Sequence, residues 1–187
     1  MNKRNNERFQ NTELKIQQTL LDLLENKDFS KITVREICTS AHINRSTFYS
    51  HYLDAYDLID KTELNMHKKL VSLYVGTGIS KTNFLSTKYI TIFLNFIYEY
   101  RNFYRVRLQT RKSFPIEQGF EPLLSEIVKP YCQKKGFKSE DEMMYFFVYL
   151  QAGFTMMIKR WVDNDFNESP EELSEIILKC ISNGFNL

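Results

Sequence analysis

The sequence predicts an all-α chain, and three observations carry that expectation. Helix-start signatures recur along it, and apolar residues repeat at helical spacing between them. Its 187 residues hold only six glycines and four prolines, too few for the many turns of a β-rich fold. With 43% hydrophobic and 14% aromatic content the chain can bury a sizeable core. The arrangement expected is a three-helix N-terminal head over residues 1 to 58 and a larger helical domain over residues 59 to 187, about nine helices in total.

Ile16, Leu20, Leu23 and Leu24 form one apolar stripe, which gives a first helix from about Thr12 to Asn26. Three capped helices follow. Thr33 with Glu36 makes a capping box, flanked by Ile32 and Ile37 as a hydrophobic staple. Asn44 repeats the device with Ile43 and Phe48, and Asp54 with Leu53 and Leu58, so helices begin near residues 34, 45 and 55. Helix, tight turn, helix over residues 32 to 58 is the pattern of a helix-turn-helix.

The fourth helix runs on to about Leu73, and GTGISKTN, residues 76 to 83, reads as a loop. A helix from about Phe84 to Tyr100 has no charge between Tyr89 and Tyr98, which places it in the interior. RNFYRVRLQTRK, residues 101 to 112, carries five basic residues and no acid, the composition of a basic helix end or a phosphate-facing surface. Glu117 to Lys134 reads as a further helix ended by Gly136. Ser139 with Glu142, and Ser169 with Pro170 and Glu172, are two more capping boxes.

The apolar residues between Met143 and Trp161 cover an arc of roughly 220° at ~100° per residue, wider than the ~100° a helix packed on one side requires. Such an excess fits either the centre of a monomeric bundle or a helix shared with a partner. Leu173, Ile176, Ile177, Cys180 and Ile181 give the last helix its own stripe, so two helices per subunit can build a four-helix interface between copies. The residues expected at that interface are Phe147, Phe154, Ile158, Trp161, Ile177 and Ile181.

On the third helix Phe48 and Tyr52 share one side, while Ser46, Thr47 and Ser50 face away, flanked by Arg45, Tyr49 and His51. Arg can bond guanine, Thr offers a hydroxyl and a methyl to a base edge, and Tyr and Ser hydroxyls can bond phosphates. An ordinary polar surface helix has the same spacing. Net charge is +2, and residues 1 to 53 hold eight basic and six acidic side chains, so composition permits nucleic-acid binding without arguing for it.

The stretch TVREICTSAHINRSTFYSHYLDAYDLI resembles the DNA-binding signature of the TetR family of transcriptional regulators. GFTMMIKRW followed by SPEEL is similar to that family's paired dimer helices. The resemblance implies a homodimeric, all-helical regulator, usually a repressor, that binds double-stranded operator DNA. Its C-terminal domain takes a small-molecule effector that alters the spacing of the two recognition helices. Thr33 and Tyr49 match positions that bind phosphate; Arg35, Arg45, Thr47 and His51 match positions that face bases or adjacent backbone. With Asn44, Ser46 and Ser50 these are the expected DNA-binding residues. Two departures stand out: His42 replaces the glycine usual in the turn, and Ala55 replaces a phosphate-binding lysine. The missing lysine keeps open a second reading, a TetR-like co-regulator that acts through protein partners.

A small-molecule pocket is expected among Tyr89, Phe93, Phe96, Tyr100, Tyr104, Phe146 and Tyr149, with Phe84, Tyr98, Phe103 and Tyr145 nearby in sequence; the same aromatics also suit plain core. An enzyme is not expected, since there is no Gly-rich phosphate loop, HExxH, GxSxG or paired CxxC. No cofactor and no metal are expected, although Cys38 and His42 stand four apart. Cys38, Cys132 and Cys180, odd in number and far apart, fit reduced thiols. The N-terminus MNKRNNERFQN is polar and no apolar run approaches the ~20 residues of a spanning helix, so the expectation is a cytoplasmic protein with no membrane partner.

Overall fold

The structure, a computed structural model, describes residues 3–76, 85–110 and 124–183. Nine α-helices and no strand occur among the described residues: α1 (Lys3–Leu24), α2 (Val34–Ser40), α3 (Arg45–His51), α4 (Ala55–Gly76), α5 (Thr87–Glu99), α6 (Arg101–Thr110), α7 (Lys129–Lys134), α8 (Glu140–Asp163) and α9 (Pro170–Asn183). Most of the 76–83 loop expected from the sequence, Phe84, and the first part of the Glu117–Lys134 helix lie outside the described residues. The chain divides into two compact units, Met1–Leu64 and Asn65–Leu187.

In the first unit α1 supplies Ile16, Leu20 and Leu24 from one face, α2 supplies Ile37 and Cys38, and α3 supplies Phe48; Ala41, Tyr52, Leu58 and Ile59 complete this core. The first helix begins nine residues earlier than expected. Thr12, the expected start, instead donates its hydroxyl to the Arg8 carbonyl at 2.9 Å, a bond an interior helical threonine makes.

The caps hold α2 to α4 in register. Thr33 Oγ1 accepts from the Glu36 N–H at 3.2 Å, while the Glu36 carboxylate meets Lys27 Nζ at 2.6 Å rather than reaching back to Thr33. Asp54 Oδ1 accepts from the N–H groups of Tyr56 and Asp57, and Asp57 Oδ2 accepts from the Leu53 N–H at 2.8 Å.

Three helices end in the same way. At the ends of α2, α7 and α8 an N–H five residues on bonds the carbonyl of Cys38, Cys132 or Trp161 from Ile43, Phe137 or Phe166, at 3.0, 3.1 and 2.8 Å. In each case the preceding residue, His42, Gly136 or Asp165, has positive φ and closes the inner bond. Only α7 uses glycine for this conformation, which costs an L-residue about 1–2 kcal/mol. Allowing for the greater unfolded-state freedom of glycine, His42→Gly is expected to stabilise the first unit by about 0.5 kcal/mol, measured as a rise in Tm.

In the second unit α5 packs on α9 and α6 on α8. At the α5–α9 seam Thr91 donates its hydroxyl to Ser174 Oγ at 3.1 Å, and Ser174 donates onward to the Glu171 carbonyl. A second cluster joins Leu124, Val128 and Cys132 to Met143 and Phe147 of α8. Burial there pushes the Cys132 thiol up to about 11, so it packs as a neutral hydrophobe. A wide π-helical turn, Leu124–Val128, leads into α7 just where Pro130 offers no N–H to the Glu126 carbonyl. Ser139 and Ser169 cap α8 and α9 as expected, and the second box is fully reciprocal: Glu172 N–H donates to Ser169 Oγ at 3.2 Å and Ser169 N–H to Glu172 Oε2 at 2.8 Å.

Candidate nucleic-acid interface

The outward side of α3 is built on a fixed floor. Phe48 is 0% exposed, and Tyr52 is pinned by Gln17 Nε2, which donates to its hydroxyl oxygen at 3.1 Å. Burial pushes the Tyr52 phenol far above its ordinary value, so it stays protonated. Lys61 of α4 donates Nζ to the His51 carbonyl at 2.8 Å and meets Asp57 at 3.0 Å, which ties the end of α3 to the following helix. The helix is short, but it cannot rotate without breaking all of these contacts.

Asn44 organises the start of α3. Its Oδ1 accepts from the Thr47 N–H at 2.7 Å, the Thr47 hydroxyl at 2.8 Å and the Ser46 hydroxyl at 2.7 Å. Ser50 donates its hydroxyl to the Thr47 carbonyl at 2.7 Å. Asn44, Arg45, Ser46, Ser50 and Tyr49, the last 56% exposed, lie open on this side with Thr47 half-buried among them. Thr33 and Arg35 are exposed on α2 and its cap.

His51 differs from the rest of the expected set. Its ring stacks on Phe9 of α1 with centroids 3.9 Å apart, and its Nδ1 is buried without a hydrogen-bond partner. That nitrogen cannot reach outward. Burial holds the imidazole pKa below its ordinary value of 6.5, with Glu13 raising it and Lys61 lowering it. The folded state thus favours the neutral ring, so this contribution to stability is complete above the unfolded pKa and is lost as pH falls through the folded one. The first unit is expected to lose Tm as pH falls below about 7, where the unfolded imidazole takes up a proton that the folded state resists, and His51→Phe to lessen that loss. Phe9, Lys61 and the triple role of Asn44 escape a sequence reading, because none belongs to an apolar stripe.

Cys38 and His42 do not share a helix face: Cys38 is buried in α2, and His42 is exposed in the turn beyond it. No three His, Cys, Asp or Glu side chains converge among the described residues in a way that would hold a metal.

The remaining candidate residues belong to the second unit. Phe147, Ile158, Trp161 and Ile177 are buried within the chain's own core, and Phe154 sits half-buried against Phe93, 6.0 Å between rings. Their stripe is therefore used inside the subunit. Periodicity marks a residue as apolar but does not say which neighbour covers it. The apolar side chains that remain open on α8 are Tyr145, 78% exposed, Tyr149 and Met156, 59% exposed, with Ala152 and Gly153 between them. On α9 they are Ile176 and Cys180, while Ile181 is half-buried.

Of the expected pocket residues, Phe96 lies 5.0 Å from Tyr100 and 6.4 Å from Tyr104, and Lys69 donates to the Tyr100 hydroxyl. Tyr89 stacks on Tyr74 at 4.8 Å. Phe146 pairs with Tyr131 and Phe137, Phe93 with Phe154, and Tyr149 is exposed. No helix among the described residues is long and apolar enough to cross a membrane.

With this geometry in view, comparison with known proteins places the chain. Its fold is similar to the dihydroxyacetone kinase operon activator DhaS, with a TM-score of 0.65 and 21% identity over 92% of this chain and 95% of that one. It is similar also to Thermus thermophilus FadR, a TetR-family transcriptional repressor solved with lauroyl-CoA, with a TM-score of 0.68 and 18% identity over 94% and 95%. In sequence it is 24% identical over 191 residues to the uncharacterized HTH-type transcriptional regulator YxbF of Bacillus subtilis (strain 168). That match takes in 92% of this chain but 45% of the relative, so the chain spans about half the relative's length. Residues 86–183, just over half of the chain, match the family model TetR_C_8, "Transcriptional regulator C-terminal region". The chain belongs to the TetR family of transcriptional regulators.

Proposed function

We propose that the protein is a homodimeric repressor that binds a pseudo-palindromic operator through α3 and is released by a small-molecule effector. In this reading residues 1 to 58 bind DNA, while residues 59 to 187 bind the effector and the second copy. The observation that carries it is the capped, polar outward side of α3, held over Phe48 and Tyr52. Arg45, Ser46, Thr47 and Tyr49 supply base and phosphate contacts, Thr33 and Arg35 flank them, and His51 supports the helix from behind.

The open face of α8 fits the dimer contact, because Ala152 and Gly153 let two helices approach between the larger Tyr149 and Met156. Phe96, Tyr100 and Tyr104 are the aromatic cluster best suited to an apolar effector. A second reading, in which the protein activates its target, is favoured by the likeness to a structure named as an operon activator.

Operator binding measured against salt tests the proposal. A DNA complex that releases counterions weakens linearly on a log-log plot, with a slope of about −0.9 per phosphate contact. Association through apolar surface has no such dependence. Thr47→Ala and Tyr49→Phe are each expected to leave the fold intact and to weaken operator binding, by on the order of 1–3 kcal/mol where a base contact is lost. Unchanged affinity in both variants would remove α3 from the interface.

A further inference from the structure

The three aliphatic hydroxyls of α3, on Ser46, Thr47 and Ser50, each spend their proton inward. The orientation of the Asn44 amide is fixed, because the atom that takes the Thr47 N–H at 2.7 Å must be an acceptor and is therefore the oxygen. The Ser46 and Thr47 hydroxyls, at 2.7 and 2.8 Å from that oxygen, can meet it only by donating. The Ser50 hydroxyl faces a carbonyl oxygen at 2.7 Å and is committed in the same way. What these three side chains turn toward solvent is lone pairs alone. The donors beside them belong to other groups: the guanidinium of Arg45, the phenol of Tyr49 and the amide nitrogen of Asn44 itself.

The major groove distinguishes such a surface. Exocyclic amines, adenine N6 and cytosine N4, are its donors; guanine O6 and N7, adenine N7, thymine O4 and the flanking phosphates are acceptors. Resting on the reading of α3 as the helix that enters DNA, we propose that Ser46, Thr47 and Ser50 form an acceptor strip that selects exocyclic amines and disfavours acceptor edges opposite it. Asn44 sets this polarity as a positioning residue. A hydroxyl that turned to donate to a base acceptor would first give up its bond to Asn44 or to the Thr47 carbonyl. That exchange is worth roughly threefold to tenfold in affinity per hydroxyl.

The test couples a side chain to single atoms of the DNA. A duplex selected from random sequence by the full-length protein is rebuilt, one position at a time, with purine in place of adenine or pyrimidin-2-one in place of cytosine, each lacking only the amine. A parallel series uses 7-deazapurines, lacking only the N7 acceptor. At the position facing Thr47, loss of the amine is expected to weaken wild-type binding roughly threefold to tenfold and to cost Thr47→Val nothing further, whereas loss of N7 there acts equally on both. Thr47→Ser, which keeps the hydroxyl, retains the coupling and separates it from any loss of fold. In Asn44→Gly, which keeps a usable helix cap, the hydroxyl is released and the preference for the amine narrows. Coupling of Thr47 to N7 or to thymine O4 instead of an amine, or coupling to no base atom, overturns the acceptor strip while leaving DNA binding intact. Failure to select any duplex overturns the reading of α3 itself.

Discussion

Phe48→Ala is expected to abolish sequence-selective DNA binding by unfolding the first unit. Phe48 is 0% exposed and touches Tyr49 and Tyr52, with ring centroids 5.5 and 5.6 Å away. Deleting a buried phenyl ring costs about 3–5 kcal/mol. A unit of 64 residues commands roughly 3–10 kcal/mol in all, so the loss takes most of its stability. The single tryptophan, Trp161, lies in the second unit and reports on that unit alone. Circular dichroism should show part of the helix signal melting early, while the emission of Trp161 stays that of a buried indole. Melting of both signals together would show that the two units unfold as one.

Trp161→Ala should be as damaging to the second unit. The indole is 1% exposed, stacks near Tyr98 and meets the edge of Phe166 at 4.9 Å. Its Nε1–H donates to the Glu168 carbonyl at 2.8 Å, next to the Ser169 cap of α9. Alanine would leave a cavity and an unpaired Glu168 carbonyl, and would take away the indole against which Phe166, at a φ of 57°, packs. The expected cost is about 3–5 kcal/mol in a urea titration followed by circular dichroism. Trp161→Phe separates the terms: it keeps most of the ring packing and loses the hydrogen bond, so its hydrogen-bond share should be about 1 kcal/mol. Equal losses in the two variants would assign the whole effect to the bond to Glu168.

Local chemistry was the legible part of this chain. Caps at Thr33, Asn44, Asp54, Ser139 and Ser169 are read from side chains that satisfy backbone N–H groups two or three residues away, and the helices begin where those caps require. The left-handed residue between α2 and α3 was legible from the resemblance, since His42 stands where the TetR family commonly has glycine. Phe166 was not, because an aromatic residue does not advertise positive φ; its N–H bond to the Trp161 carbonyl and its packing on the indole accompany the conformation. The early start of α1 was invisible to a stripe search, since residues 6 to 10 are exposed and Phe9 is held by His51. On α8 the breadth of the apolar arc was real, but its deepest residues, Phe147, Ile158 and Trp161, close the subunit's own core. The open face is set by Tyr145, Tyr149 and Met156, which the stripe alone could not separate from the rest. On the recognition helix the polar residues were legible as a set, whereas the direction of their protons depends on three oxygen contacts that only coordinates supply.

The most direct measurement is DNase footprinting of the purified full-length protein on the DNA upstream of its own gene and the neighbouring genes. A two-fold protein that reads through α3 should protect a pseudo-palindrome with half-sites spaced by about one helical turn or a multiple of it. Thr47→Ala should lose that protection at concentrations where the wild type retains it. The absence of sequence-selective protection at every salt concentration, or protection that Thr47→Ala and Tyr49→Phe leave unchanged, would contradict DNA reading by this helix.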